Sequence, residues 1–422
     1  MDIVILYGIY RSYKNYKAAS RRQRRWYVRP MNRDRSTAGE FNTVVNSMRN
    51  LEDSEIHHEY FRMNEERFNF ILDRVRDKIT HRNTHKNPVG PNERLSLTLR
   101  YLASGATQRS IAHSYKLGKS TVSKIINETV RAIHDSLKDF ASFPSKDEWR
   151  DIADDYWQYW NFPNTIGAID GKHIKIKSHN STGSDFFNYK GYFSHLLLAS
   201  CDARYCFTVY DVGAFGKEGD AAVFNKSKFG IKLKKGDLNI PGPNNLPGTD
   251  VMFPYFFVGD DAFPLQPNLM KPFPGKNKTE AEKVYNYRLS RARRIIENSF
   301  GILAARWQIF HKPIDASPEN VDAIVLACIS LHNFLSKTDP QYEIQARYNP
   351  PNFTDRTTET GEIIPGEWRR IVRGDFLEGV KNLSGNRCSR LAKEYRLKLK
   401  DYLLTDNGSI PWQLNVVNRG TS

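Results

Sequence analysis

The stretch from Phe256 to Trp307 constrains this chain most. A short apolar run, Phe256-Phe257-Val258, ends on Gly259-Asp260-Asp261, and a basic helical pattern from Arg288 to Trp307 carries one glutamate, Glu297. Leu289, Ile296, Phe300, Leu303 and Trp307 form the buried stripe of that helix. Glu297 lies beside the stripe, and Gly301, one turn later, is expected to leave room above it. Arg288, Arg291, Arg293 and Arg294 are expected to surround it with phosphate-binding charge. A carboxylate at a strand end and another on a later helix that packs back on the sheet can meet in space. Hard divalent cations are held in this way, by oxygen ligands from separate elements. A third carboxylate with a similar setting is Asp170, in Ile166-Gly167-Ala168-Ile169-Asp170-Gly171. Each acid alone has a plainer explanation. Asp170-Gly171 fits a hairpin turn, Asp260 a cap or turn with Asp261 as its register alternative, and Glu297 an ion pair with Arg293 or Arg294.

Charge narrows the partner. The formal net charge is +16 over 422 residues, which points to a polyanion, nucleic acid first and a membrane surface second, with a basic but unrelated enzyme as the plainer alternative. Hydrophobic residues are 39% and charged ones 26%, a mixture that folds, and the length allows two or three domains. Cys201, Cys206, Cys328 and Cys388 form no CxxC pair, so neither a zinc finger nor a disulfide framework is expected and a reducing intracellular compartment fits. The apolar run from Ile3 to Tyr10 is too short to span a bilayer, and basic residues follow it rather than precede it. Neither a membrane segment nor a secretory signal is expected.

Four regions are expected. Residues 1–50 read as a basic arm whose densest cluster, Arg21-Arg22-Gln23-Arg24-Arg25, suits nuclear import, the DNA backbone or simply water. Residues 51–145 read as helical, with Phe61, Phe68, Ile71, Leu72 and Val75 at helical spacing and a further helix from about Asn92 to Ser104. Within them, Thr107 to Ile126 reads as helix, tight turn, helix, with Leu117 plugging the turn and Gly118 supplying a turn residue. The outer face of the second helix shows Lys119, Ser120, Thr121, Ser123, Lys124 and Asn127, side chains that suit phosphates and base edges in a major groove. A spacer bundle is the alternative. Residues 146–338 read as a sheet domain. A connector from Trp149 to Trp160 leads to strands at Thr165 to Lys177, Ser194 to Cys201 and Tyr205 to Val212, then a short helix from Asp220 and a loop insertion at about 230–250. The strand from Tyr255 to Asp260, the acidic helix and an interior helix from Val321 to Phe334 complete it. Residues 339–422 read as a tail with a basic helix, Arg387 to Leu404.

Meander, helix, strand and late acidic helix follow the order of an RNase H-like domain. The fold class expected is α+β, an RNase H-like catalytic domain preceded by an all-α helix-turn-helix region. The motifs Gly167-Ala168-Ile169-Asp170-Gly171-Lys172-His173-Ile174, Gly259-Asp260-Asp261-Ala262-Phe263-Pro264-Leu265 and Arg293-Arg294-Ile295-Ile296-Glu297-Asn298-Ser299-Phe300-Gly301 resemble those of the PIF/Harbinger transposase superfamily and its domesticated nucleases. Leu331-His332-Asn333-Phe334, the stretch from Arg24 to Pro30 and the terminal Ile410-Pro411-Trp412-Gln413 match as well. The resemblance implies a DDE-type nuclease and transposase with Asp170, Asp260 and Glu297 as its triad. It also implies two divalent ions, Mg²⁺ or Mn²⁺, one activating water and one steadying the leaving oxygen. It carries over Asp220 as a fourth metal-site acid, with Gly219 where the family usually has histidine. It further implies double-stranded DNA as substrate, a Myb-like accessory protein, a homo-oligomer and a nuclear location. The rival expectation is a domesticated DNA-binding or chromatin-associated protein that keeps the fold without the reaction.

Overall fold

Apolar residues at helical spacing do build helices in the first half of the chain. The computed structural model describes residues 7–8, 10–14, 26, 28–81, 88–178, 183–339, 347–358, 360–372, 377–379 and 389–419, the side chains of residues 220, 221, 377 and 378 excepted. The cluster Arg21-Arg22-Gln23-Arg24-Arg25 therefore lies outside the described residues, as does Cys388. Helix α1 (Ser54–Phe61) is capped by the Asp53 carboxylate and α2 (Glu65–Ile79) by the Asn64 amide oxygen. Phe68, Ile71, Leu72 and Val75 of α2 are all buried, as their spacing requires. Helix α3 (Pro91–Ser104) stops at Gly105, whose φ is 59°. A Cβ there would sit 2.3 Å from the Gln308 carbonyl oxygen, so both the backbone angle and the packing call for glycine. Then come α4 (Gln108–Ser114) and α5 (Lys119–Ser136). Tyr115 plugs the turn between them more fully than Leu117 does. The left-handed residue of that turn is Lys116, at φ 53°, whereas Gly118 is extended and opens α5.

Part of the expected basic arm and the expected connector are helical. Residues 35–50 are largely helical and pack inward, with Val45 and Met48 buried and the Arg35 guanidinium held by Glu93 and the Pro88 carbonyl. The expected connector is a helix, α6 (Lys146–Trp160), opened by a reciprocal Ser145–Glu148 capping box. Its aromatic residues hid the helical period; Trp149 and Tyr156 are buried, and α6 packs on the first strand.

That strand, β1 (Thr165–Lys175), runs antiparallel to β2 (Ser194–Cys201), which pairs antiparallel with β3 (Phe207–Phe215). Helices α7 (Asp220–Lys226) and α8 (Lys228–Lys235) follow, separated by Ser227, which caps α8. The loop insertion therefore begins only at Gly236. The chain then crosses to the other side of β1. There β4 (Phe256–Val258) lies parallel to it and β5 (Leu269–Met270) parallel to β4, giving the order β3-β2-β1-β4-β5. This mixed sheet fits the expected α+β class. Helix α9 (Glu280–Arg306), opened by a Thr279–Glu282 capping box, packs across β1 and β2. Helix α10 (Pro318–Lys337) packs against both β3 and α5, so helical region and sheet share one connected core.

Residues after Ser336 pack back as well. Tyr348 and Phe353 are buried, α11 (Trp368–Ile371) lies on α9, and β6 (Leu377–Gly379) pairs antiparallel with Lys172–Ile174. Helices α12 (Arg390–Tyr402) and α13 (Gln413–Arg419) close the described chain against α9. No helix among the described residues is long and apolar enough to cross a membrane.

The Leu331-His332-Asn333-Phe334 motif is structural. Asn333 accepts from the Phe207 amide and donates to the Phe207 and Phe140 carbonyls. His332, fully buried, donates from Nε2 to the Tyr205 carbonyl (2.9 Å), leaving Nδ1 to accept from the Tyr348 hydroxyl (3.1 Å). Burial pushes its pKa down to about 4 against the Tyr205 carbonyl, which pulls the other way. An unfolded histidine titrates near 6.5, so the unfolded chain takes up this proton first. The stabilisation is complete above about pH 6.5 and is lost as pH falls toward 4, roughly 3 kcal/mol in all. Urea midpoints measured from pH 7 to 4 should fall more steeply for the wild type than for His332→Gln. Parallel curves would refute this assignment.

Candidate active site

Strand pairing brings two of the three predicted acids together. Ala168 of β1 pairs with Val258 of the parallel β4, and Asp170 and Asp260 each lie two residues beyond that pair. The two strands run roughly 5 Å apart, Asp260 follows the end of β4, and the two carboxylates act on each other electrostatically. Asp170 is not in a hairpin turn; it is paired with Ala199 inside β1 and is only 5% exposed. One of its oxygens accepts from the Gly171 amide (2.9 Å), and the other meets the Lys172 ammonium at 2.8 Å. Lys172 is on the same face of β1 as Asp170 because it is two residues on.

Asp260 sits where β4 gives way to a turn, its Oδ1 accepting from the Ala262 amide (3.0 Å). It is half-buried while Asp261 is exposed, which favours the first of the pair. Its pKa is raised, chiefly by burial; Arg293 counters this and the neighbouring Asp170 adds to it. Asp170, Asp260 and Arg293 thus form one electrostatic group. Glu297 stands half-buried on α9, within the fields of Arg294 and Arg369. It lines a pocket of about 330 Å³ with Lys172, Phe300 and Trp368, which joins the glutamate to the β1 acid through the lysine. Among the described residues, no three His, Cys, Asp or Glu side chains are gathered tightly enough to ligate a metal. The donor set itself, carboxylates from a central strand, a strand end and a facing helix, is the hard-oxygen type that Mg²⁺ and Mn²⁺ take. Asp220 begins α7, and its side chain lies outside the described part.

Gly301 does not leave open space. The Trp368 indole fills it, and a Cβ on residue 301 would lie 2.3 Å from that ring. Nor do all four arginines of α9 face a ligand. Arg288 is fully buried and donates to the Asn161 and Gly408 carbonyls and to Gln413 Oε1 (2.6 Å). Arg291 is buried with one bond to Asn161 Oδ1, and Arg294 is buried with one to Thr357 Oγ1. These three hold other parts of the chain against α9; Arg293 is the one beside Asp260. The reason is helical phase. Four arginines in seven positions point around most of the helix, and a long helix lying across a sheet must bury some of them.

On α5, Lys119, Ser120, Thr121 and Lys124 are exposed, with Ser123 and Asn127 half-exposed, as the outer-face reading requires. One edge of that face borders a neighbouring segment. Ser123 and Asn127 line a cleft of about 500 Å³ with Asp315 and Asn320, and Arg131 donates to Asn320 Oδ1 (2.8 Å). Lys172, Trp368, Arg369 and Asp355 join the site without having been expected there. The i, i+2 spacing from Asp170 could have singled out Lys172. Nothing local announces the other three.

The chain matches the family model described as DDE superfamily endonuclease over residues 169–333, a span that contains all three acids. It is similar to Protein ALP1-like of Arabidopsis thaliana, 26% identical over 67% of this chain and 70% of that one. It is similar to Protein Antagonist of Like Heterochromatin Protein 1, also of Arabidopsis thaliana, at 24% over 65% and 72%. The HARBI1 nuclease-like protein of Mus musculus matches at 24% over 63% of this chain and 72% of its own. No solved structure matches significantly.

Proposed function

We propose that this chain, which carries a DDE superfamily endonuclease domain and is kin to Harbinger transposase-derived proteins, is a divalent-metal-dependent DNA endonuclease and strand transferase. It cuts at element ends and joins the freed 3′-hydroxyl to target DNA, on an RNase H-like domain. The observation that carries this reading is that parallel pairing of β1 with β4 brings Asp170 beside Asp260, just past the end of β4, with α9 presenting Glu297 over the same sheet. Endonucleases of this superfamily use divalent metals. Asp170, Asp260 and Glu297 would hold them here, with Asp220 as a fourth acid, and two Mg²⁺ or Mn²⁺ ions would supply Lewis acidity and a metal-activated water. The chain's own part is to hold carboxylates ready and to neutralise them meanwhile. Lys172 pairs with Asp170, and Arg293 lies in the field of Asp260. Both side chains would also be at hand for the scissile phosphate.

The rest of the assignment follows from the same reading. Residues 51–145 are a helix-turn-helix module that meets duplex DNA through the outer face of α5. A Myb-like accessory protein, a homo-oligomer joining two DNA ends, and a nuclear location go with the reaction. A DNA-binding protein without catalysis is the rival, favoured by the Lys172 ammonium already seated on Asp170.

One assay separates the two. Labelled duplex DNA should be nicked by the wild type with Mg²⁺ or Mn²⁺ and left intact with EDTA. DNA that is bound but never cut, with terminal repeats and an accessory protein supplied, would sink the nuclease reading.

A further inference from the structure

Beside Glu297 the pocket of about 330 Å³ has walls that the cutting of a phosphodiester does not by itself require. One wall is a stacked pair from the C-terminal segment. The Arg369 guanidinium lies over the Trp368 ring at 4.4 Å. Both members are fixed. The indole Nε1 donates to Asn298 Oδ1 (2.9 Å), and its six-membered ring rests on Gly301. The Arg369 guanidinium is gripped in its plane through Nε and Nη2 by both oxygens of Asp355, whose side chain is fully buried and also accepts from the Gly366 amide (2.8 Å). An arginine bonded through its edge keeps its faces for stacking, and one face is taken by the indole. The Arg369 side chain is 43% exposed. Opposite are the buried Phe300 ring and the Lys172 ammonium, 5.6 Å from that ring's centre.

We propose that this pocket seats one nucleotide, unstacked from the DNA strand next to the scissile phosphate. Its base stacks on the Arg369–Trp368 pair and its phosphate meets Lys172. Flat cationic and aromatic surfaces take bases of any sequence by stacking. The two cations exclude a purely apolar occupant, and the indole and phenyl walls are wasted on a bare phosphate. The volume stands at the low end for a ligand site, enough for a single nucleotide and not for a run of them. An enzyme that unstacks a base favours DNA in which that base is already unpaired, because the unstacking cost has been removed.

This inference deepens the nuclease reading and rests on it for the position of the scissile phosphate, but its test needs no cutting. Two short duplexes, identical except that one carries a single unpaired 2-aminopurine, are titrated with the full chain in EDTA and followed by anisotropy and by 2-aminopurine fluorescence. The wild type should bind the unpaired duplex roughly tenfold more tightly and quench its fluorescence. Arg369→Lys keeps the charge and loses the plane; it and Trp368→Ala should erase the preference, while Trp368→Phe keeps most of it. Unchanged affinity for the paired duplex shows that the variants are folded. Equal wild-type affinities, or a preference that survives both Arg369→Lys and Trp368→Ala, would overturn the pocket. A wild type that shows the preference but never nicks DNA with metal would keep the pocket while removing the nuclease.

Discussion

Asp260→Ala should lower metal-dependent nicking by roughly 100- to 1,000-fold, and Glu297→Ala by a similar factor, while duplex binding in EDTA changes little. Each carboxylate removed takes with it transition-state stabilisation of about 3–4 kcal/mol, the range found when one preorganised electrostatic contact is lost. Asp260 is the sharper probe because its partners are known. With it gone, Asp170 loses its acidic neighbour and Arg293 loses a counter-charge. The carboxyl is also held above its ordinary pKa, mainly by burial, so it keeps its proton to higher pH than a free aspartate. A proton and a metal compete for the same oxygens, so nicking should weaken as pH falls through that raised value. Asp261→Ala, one residue on and exposed, should be close to wild type. Full activity in Asp260→Ala with loss in Asp261→Ala would move the site by one register.

Arg288→Ala should cost roughly 3–5 kcal/mol of stability, the largest effect expected from any single arginine. Its side chain is fully buried, and burial pushes its pKa down to about 9, with Arg291 adding to the fall. The guanidinium donates to the Gly408 carbonyl, and it shares Gln413 Oε1 with the Ile410 amide. Removal strands buried acceptors and opens a cavity where α9 meets Asn161, Gly408 and Gln413. Arg288→Lys should recover only part of the loss, since an ammonium cannot span three acceptors with the same fork. Denaturant midpoints read this directly. A wild-type midpoint with weakened DNA binding would return Arg288 to the phosphate-contacting role suggested by its charge alone.

The same residue shows what a sequence can and cannot carry. Local order was legible wherever a short-range rule applied. The spacing of Phe68, Ile71, Leu72 and Val75 sets a helical face, and the β2 strand lies where its apolar run begins and ends, Ser194–Cys201. The three acids could be picked out because each stands in a distinctive local setting, two near the ends or middles of apolar strands and one beside a helical stripe. The net charge of +16 pointed toward a polyanionic partner.

Tertiary structure decided the rest, because it depends on which distant segments share a surface. Parallel pairing of β1 with β4 joins Asp170 to Asp260 across a long insertion, and no local signal sets that register. Arg288, Arg291 and Arg294 look alike in sequence, yet helical phase and the covering C-terminal segment bury all three and leave Arg293 by Asp260. Gly301 makes room, but the room belongs to Trp368, brought from a polar stretch with no periodic pattern. Residue type determined which chemistry was available; the packing of separate segments determined which of those residues meet.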